Sequence, residues 1–143
     1  EMDHIGSRLA HALVPGDCIT LSGQLGVGKS HLARATIRSI LRDETADVPS
    51  PTYTLVNVFD SGQFDVWHAD LYRLSSAEEI EEIGLADAVE NSIAIIEWAD
   101  RWPNPPDRRL DICITIEAGD ARRLTFHPNG TWSDVLIRLF EHE

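Results

Sequence analysis

Residues 23 to 30 read Gly23-Gln24-Leu25-Gly26-Val27-Gly28-Lys29-Ser30, which fits the spacing G-x-x-x-x-G-K-S/T. Each residue type in that spacing has a part in holding phosphate. Glycines let successive backbone N–H groups turn inward into a nest for an anion. A helix starting at Lys29 would aim its positive N-terminal end at the same phosphates. The Lys29 ammonium would reach the β- and γ-phosphates. The Ser30 hydroxyl would help hold Mg²⁺, an ion that keeps several waters and takes few protein ligands. The plain alternative is a glycine-rich turn that caps a helix. With Gly at ~7% of residues, such a pattern arises by chance in well under ~1% of chains this long. Lys29 is also the sole lysine, beside eleven arginines. Lys is a compact point charge where Arg is a broad fork, so a narrow cation site would keep its lysine.

A phosphate site of this kind needs an acidic residue at the end of a buried strand, to hold the metal and position an attacking water. Asp70 ends the run Phe64-Asp65-Val66-Trp67-His68-Ala69-Asp70. Glu97 ends Ile93-Ala94-Ile95-Ile96-Glu97, the more apolar of the two. A solvated strand end is the bland account of either alone. With a phosphate loop in the same chain, both are expected to face the phosphates, and which one touches the metal stays open. Ser50-Pro51-Thr52-Tyr53 lies where switch proteins bring a threonine to Mg²⁺ and the γ-phosphate. From the residues alone, a Pro-bounded turn is the better account of it. No Asn-Lys-x-Asp run exists to read guanine, which demotes GTP. Trp98 follows Glu97 and could stack on a base; packing is the alternative for it, as for Trp102 and Trp132.

The elements that must carry these residues follow from periodicity. Asp3 to Leu13 has helical spacing, ended by Pro15-Gly16. Cys18 to Leu21 reads as a strand and Lys29 to Leu41 as a helix. Val48 to Pro51 must be extended, because residues before proline avoid the helical region. Tyr53 to Phe59 and Phe64 to Asp70 form a hairpin around Asp60-Ser61-Gly62-Gln63. Ser75 and Ser76 are caps for an acidic helix start, Gly84 ends that helix, and a short helix over Leu85 to Val89 follows. Ser92 to Glu97, with its continuous apolar run Ile93-Ala94-Ile95-Ile96, reads as a strand buried on both faces. Leu110 to Glu117 and Arg122 to Phe126 pair around Gly119-Asp120, and Trp132 to Phe140 is a final helix. The expected fold is α/β, one domain over residues 1–143, with a mixed sheet flanked by helices.

Composition limits the partners. Twelve basic against twenty-four acidic residues give a net charge of −12, which disfavours unaided binding to a phosphate backbone or an anionic membrane. With 43% hydrophobic residues, the chain can bury a core without staples, and Cys18 and Cys113 read as reduced core thiols. No apolar run approaches the ~18 residues of a membrane span, and the start lacks a signal peptide's pattern. A cytoplasmic location is expected. Because Met2 follows Glu1, a native N-terminal segment is expected to be missing.

Taken in order, Gly23 to Ser30, then Ser50-Pro51-Thr52-Tyr53-Thr54-Leu55, then His68-Ala69-Asp70-Leu71-Tyr72-Arg73, then Ile96-Glu97-Trp98, the chain resembles the TsaE family. The likeness runs from about Ile5 to the last strands. It implies a P-loop NTPase-like fold and a cytosolic ATPase of bacterial tRNA threonylcarbamoyladenosine biosynthesis. Such an ATPase acts with a two-subunit, ASKHA-fold transferase complex, which deals with the tRNA; hydrolysis would support multiple turnovers rather than the transfer itself. By position, ATP and Mg²⁺ would be the ligands. Lys29, Asp70, Glu97 and Thr52 would be catalytic, with Asp70 as the Walker-B-like acid and Thr52 as the switch threonine. Gly23, Gln24, Leu25, Gly26, Val27, Gly28, Lys29, Ser30, His31, Trp98 and Arg123 would bind the nucleotide. Ser30 and Glu97 would hold the metal.

Three departures from the family pattern matter. Gln24 stands where Asp is common, Ser30 replaces Thr but keeps the hydroxyl, and the chain begins too late for the whole segment that meets the base. The acidic stretch Glu78-Glu79-Ile80-Glu81-Glu82 reads as a solvated helix face, with a partner-docking surface as the sharper reading. Two other functions compete: a small-molecule kinase, with Arg101, Arg108 and Arg109 as clamps, and a non-catalytic nucleotide sensor.

Overall fold

The computed structural model describes residues 2–24, 28–52, 54–74 and 76–130. Helix α1 (Met2–Ala12) leads into strand β1 (Cys18–Ser22), and helix α2 (Lys29–Leu41) follows the glycine-rich loop. Strands β2 (Val56–Asp60) and β3 (Asp65–Asp70) form the expected hairpin. Helices α3 (Ala77–Ile83) and α4 (Leu85–Asn91) precede β4 (Ile93–Glu97). Strands β5 (Arg109–Ile116) and β6 (Arg122–Asn129) complete one six-stranded sheet in the order β2-β3-β4-β1-β5-β6. The four inner strands are parallel, and β2 and β6 are antiparallel edges. This is the mixed sheet expected from the sequence. The expected final helix, Trp132 to Phe140, lies outside the described residues, as do Tyr53 and Ser75.

Alternation along the strands feeds two apolar layers. Ile19, Leu21, Ile93, Ile95, Leu110, Ile112 and Ile114 meet Leu9 and Leu13 of α1 and Leu32, Ala33 and Ile37 of α2 on one face. Cys18, Ala69, Ala94 and Ile96 meet Ile80, Leu85 and Val89 of α3 and α4 on the other. Strand β4 is buried along its whole length, as its unbroken apolar run predicts. The two long helices approach closely because Gly6 has no side chain: a Cβ there would lie 2.8 Å from Ala35 Cβ and 2.9 Å from Thr36 N. Glu78, Glu79, Glu81 and Glu82 are exposed around the buried Ile80.

Two local expectations change. The hairpin's first strand starts at Val56 rather than Tyr53. Leu55 closes a turn by donating its N–H to the Pro51 carbonyl at 2.8 Å and takes φ 71°, which a strand does not allow. Cys18 is a buried free thiol, but Cys113 is only half-buried. It alternates with buried Ile112 and Ile114 on β5, so it faces the less covered side of that strand.

Candidate functional site

The parallel strands end together at one edge of the sheet. Leu21 pairs with Glu97 between β1 and β4, and Asp70 pairs with Glu97 between β3 and β4. Two acids from different strands therefore stand side by side where β1 leaves the sheet for the glycine-rich loop. Ligands of open α/β sheets collect at this edge, outside the carboxyl ends of the strands.

Gly23 (φ 137°) and Gly28 (φ 112°) both occupy backbone conformations that side chains rarely adopt. Gly28 is the N-cap of α2 and offers no side-chain cap, so the helix start stays open. Leu25, Gly26 and Val27 lie outside the described residues, and Gln24 is exposed. The helix opens with Lys29 and Ser30. Lys29 is 5% exposed; its Nζ donates to the Gly23 carbonyl at 2.8 Å and sits 3.9 Å from the Trp98 ring centroid. Desolvation lowers its pKa from the ordinary value, while the charges of Glu97, Asp70 and Asp100 oppose that shift.

Ser30 Oγ donates to Glu97 Oε1 across 3.4 Å. Glu97 Oε2 lies 2.7 Å from His68 Nε2, and both residues are buried. Asp70 Oδ1 accepts the Tyr72 N–H at 2.9 Å, which orients that carboxylate at the strand end. Thr52 exchanges a 2.7 Å hydrogen bond with Ser50. Trp98 adopts left-handed backbone angles (φ 59°) and packs on Tyr72, with ring centroids 4.7 Å apart. A non-glycine residue held there stores strain, a feature that concentrates at functional sites.

Gly28, Lys29, Ser30, His31, Thr52, Asp70, Glu97 and Trp98 together line a cavity of about 270 Å³. Arg123 is not among them: it sits on β6, largely exposed, with its Nε 2.9 Å from Glu117. Trp102 is buried in the core instead. Larger hollows of about 560 and 470 Å³ lie beside α1 and α2, away from both strand-end acids. His68 was missed by sequence reasoning as a site residue. The available signal was its spacing from Asp70: two residues apart on a strand, they share a face.

The donor set suits a hard cation. Ser30, Thr52, Asp70 and Glu97 supply oxygen only, the ligand type Mg²⁺ takes. Among the described residues no group of three His, Cys, Asp or Glu side chains is gathered to hold a metal.

A mixed sheet whose first strand is followed by the glycine-rich segment and then by a helix headed by Lys29 and Ser30 makes this an α/β domain of the P-loop NTPase-like kind. Within it, the chain belongs to the TsaE family: residues 1–124 match the family model described as threonylcarbamoyl adenosine biosynthesis protein TsaE. It is 33% identical to the Rickettsia prowazekii tRNA threonylcarbamoyladenosine biosynthesis protein TsaE, over 95% of this chain and 94% of that one. The Bacillus subtilis protein of the same name is 32% identical, over 100% of this chain and 90% of its own. The Rickettsia felis relative is 36% identical over 70% of this chain, and the match spans 58% of that longer protein. The solved structure of Bacillus subtilis YdiB superposes with a TM-score of 0.74 at 24% identity, covering 98% of this chain and 88% of that one. Among the described residues no helix is long and apolar enough to cross a membrane.

Proposed function

We propose that this chain binds ATP with Mg²⁺ and hydrolyses it, in support of threonylcarbamoyl transfer to adenosine in tRNA by a partner complex. The observation that carries the reading is the convergence of Lys29, Ser30, Thr52, Asp70, Glu97 and Trp98 on one cavity at the carboxyl edge of parallel strands. In this reading Lys29 exchanges the Gly23 carbonyl for phosphate oxygens. The α2 N-terminus adds its partial positive charge. Ser30 and Glu97 hold the metal, which when bound neutralises charge on the phosphate oxygens. Asp70 orients the attacking water, and Thr52 closes on the γ-phosphate. Trp98 and Tyr72 shield the Lys29 side. The relatives' shared name supplies the pathway, and the partner is a two-subunit, ASKHA-fold transferase that handles the tRNA.

The kinase alternative needs arginines free to clamp a transferring phosphate. Arg101 donates to the Leu74 carbonyl, Arg108 pairs with Asp17, and Arg109 donates to Asp111 and the Pro106 carbonyl. All three are engaged within the fold, which favours hydrolysis. The test is ATP labelled at the γ-phosphate, incubated with Mg²⁺, this chain and the transferase subunits. Label in free phosphate alone is expected. Label in any other acceptor would favour a kinase, and no release under any partner condition would favour a sensor.

A further inference from the structure

We infer that His68 is a positioning residue: it fixes one oxygen of Glu97 so that the other is presented towards Ser30 and a bound cation. The inference rests on the reading of Glu97 as a metal-linked residue given above.

His68 is 1% exposed and Glu97 3% exposed, so neither exchanges its partner for bulk water. Their contact, Nε2 to Oε2, measures 2.7 Å, a short hydrogen bond for a nitrogen donor. The second oxygen, Oε1, faces Ser30 Oγ at 3.4 Å. The two oxygens of one carboxylate thus have separate partners, one on β3 and one at the start of α2. An ionised carboxylate only accepts, so the ring proton belongs on Nε2. His68 Nδ1 has no hydrogen-bond partner. The ring's hold on the protein's polar groups is therefore through Nε2 and Glu97.

Register supports the arrangement. His68 is opposite Ile95 and Asp70 opposite Glu97, so His68 approaches Glu97 from two residue pairs back, on the face it shares with Asp70. Outer partners that orient a metal-binding carboxylate set metal affinity without touching the metal. Here that partner is an imidazole, a rigid ring that holds one direction. An ordinary core histidine would fill the same space without controlling the carboxylate.

The experiment compares His68→Leu, which removes the donor, with His68→Gln, which places an amide N–H near the Nε2 position. ATP affinity is measured by titration calorimetry in EDTA and at stepped Mg²⁺ concentrations. For His68→Leu we expect unchanged affinity in EDTA and a Mg²⁺ half-saturation raised about tenfold or more. His68→Gln should recover most of it. Wild-type Mg²⁺ dependence in His68→Leu would overturn the inference. So would His68→Gln behaving no better than His68→Leu, or loss of affinity in EDTA together with Mg²⁺-dependent affinity, the mark of a packing role alone. Nitrogen NMR of the wild-type ring needs no variant to fold: a protonated Nε2 is expected, and a bare Nε2 would overturn the inference. Wild-type ATP affinity indifferent to Mg²⁺ would instead bring down the reading of Glu97, and this inference with it, before any variant is made.

Discussion

The Lys29 ammonium lies 3.9 Å from the centroid of the Trp98 ring, held there by a hydrogen bond to the Gly23 carbonyl. A cation over an indole face is an attractive contact. It is also one that phosphate would break, because Lys29 is the residue that must reach the phosphates. Trp98 emission should therefore change on ATP binding. In Trp98→Phe the remaining tryptophans should respond little. An equal response in that variant would separate Trp98 from the site.

Asp70 and Glu97 are register partners, yet their contacts differ. Glu97 is tied to His68 and faces Ser30, whereas Asp70 accepts a backbone N–H. Glu97→Gln is expected to raise the Mg²⁺ requirement as well as lower turnover. Asp70→Asn is expected to lower kcat about 100-fold or more, with the Mg²⁺ requirement nearly unchanged. Steady-state kinetics at several Mg²⁺ concentrations separates the two. Identical profiles would contradict the division of labour.

Gly6 is where α1 meets α2. The Ala35 and Thr36 atoms that a Cβ would meet at 2.8 and 2.9 Å belong to a packed helix with little room to shift. Gly6→Ala should cost about 1–3 kcal/mol by overpacking, against up to about 1 kcal/mol returned by alanine's better helix propensity. The expected result is a lower melting temperature. An unchanged or higher one would show that the helices separate easily.

Burial, aided by the Asp111 charge and opposed by Arg109, pushes the Cys18 thiol from 9.0 up to about 12. The folded chain keeps a proton that the unfolded chain releases above pH 9.0. This contribution to stability is whole below that pH and is lost as pH rises towards about 12, at no more than about 1.4 kcal/mol per pH unit. Urea unfolding of wild type and Cys18→Ala across this range should show a shallower decline in the variant. Parallel curves would contradict the buried-thiol account.

Much of the fold was legible because its signals are local. Pro15-Gly16, Asp60 to Gln63 and Gly84 mark turns, and the apolar run at Ile93 marks a doubly buried strand; each stands where the spacing placed it. The start of α2 at Lys29 followed from the glycine spacing. Strand order was not legible, because the placing of β4 between β1 and β3 is a long-range choice that no local pattern records. The His68–Glu97 contact joins residues 29 apart in sequence and depends on that choice. Asp70 and Glu97 beside Lys29 were expected from their strand ends, and Thr52 and Trp98 only from the family resemblance; the cavity is lined by all of them. Arg123 was expected at the nucleotide; it stands on the edge strand β6 beside Glu117 and is not among the residues that line this cavity. The left-handed turn at Trp98 had no sequence signal, since only glycine announces that conformation.

The central claim is that Lys29 and its neighbours form an ATP-hydrolysing site completed by a partner. Phosphate release from ATP with Mg²⁺ tests it directly, using wild type and Lys29→Ala, each alone and with the two transferase subunits. The account predicts little release by wild type alone, strong stimulation by the subunits, and none of that stimulation in Lys29→Ala. Equal release by wild type and Lys29→Ala in the presence of the subunits would contradict it.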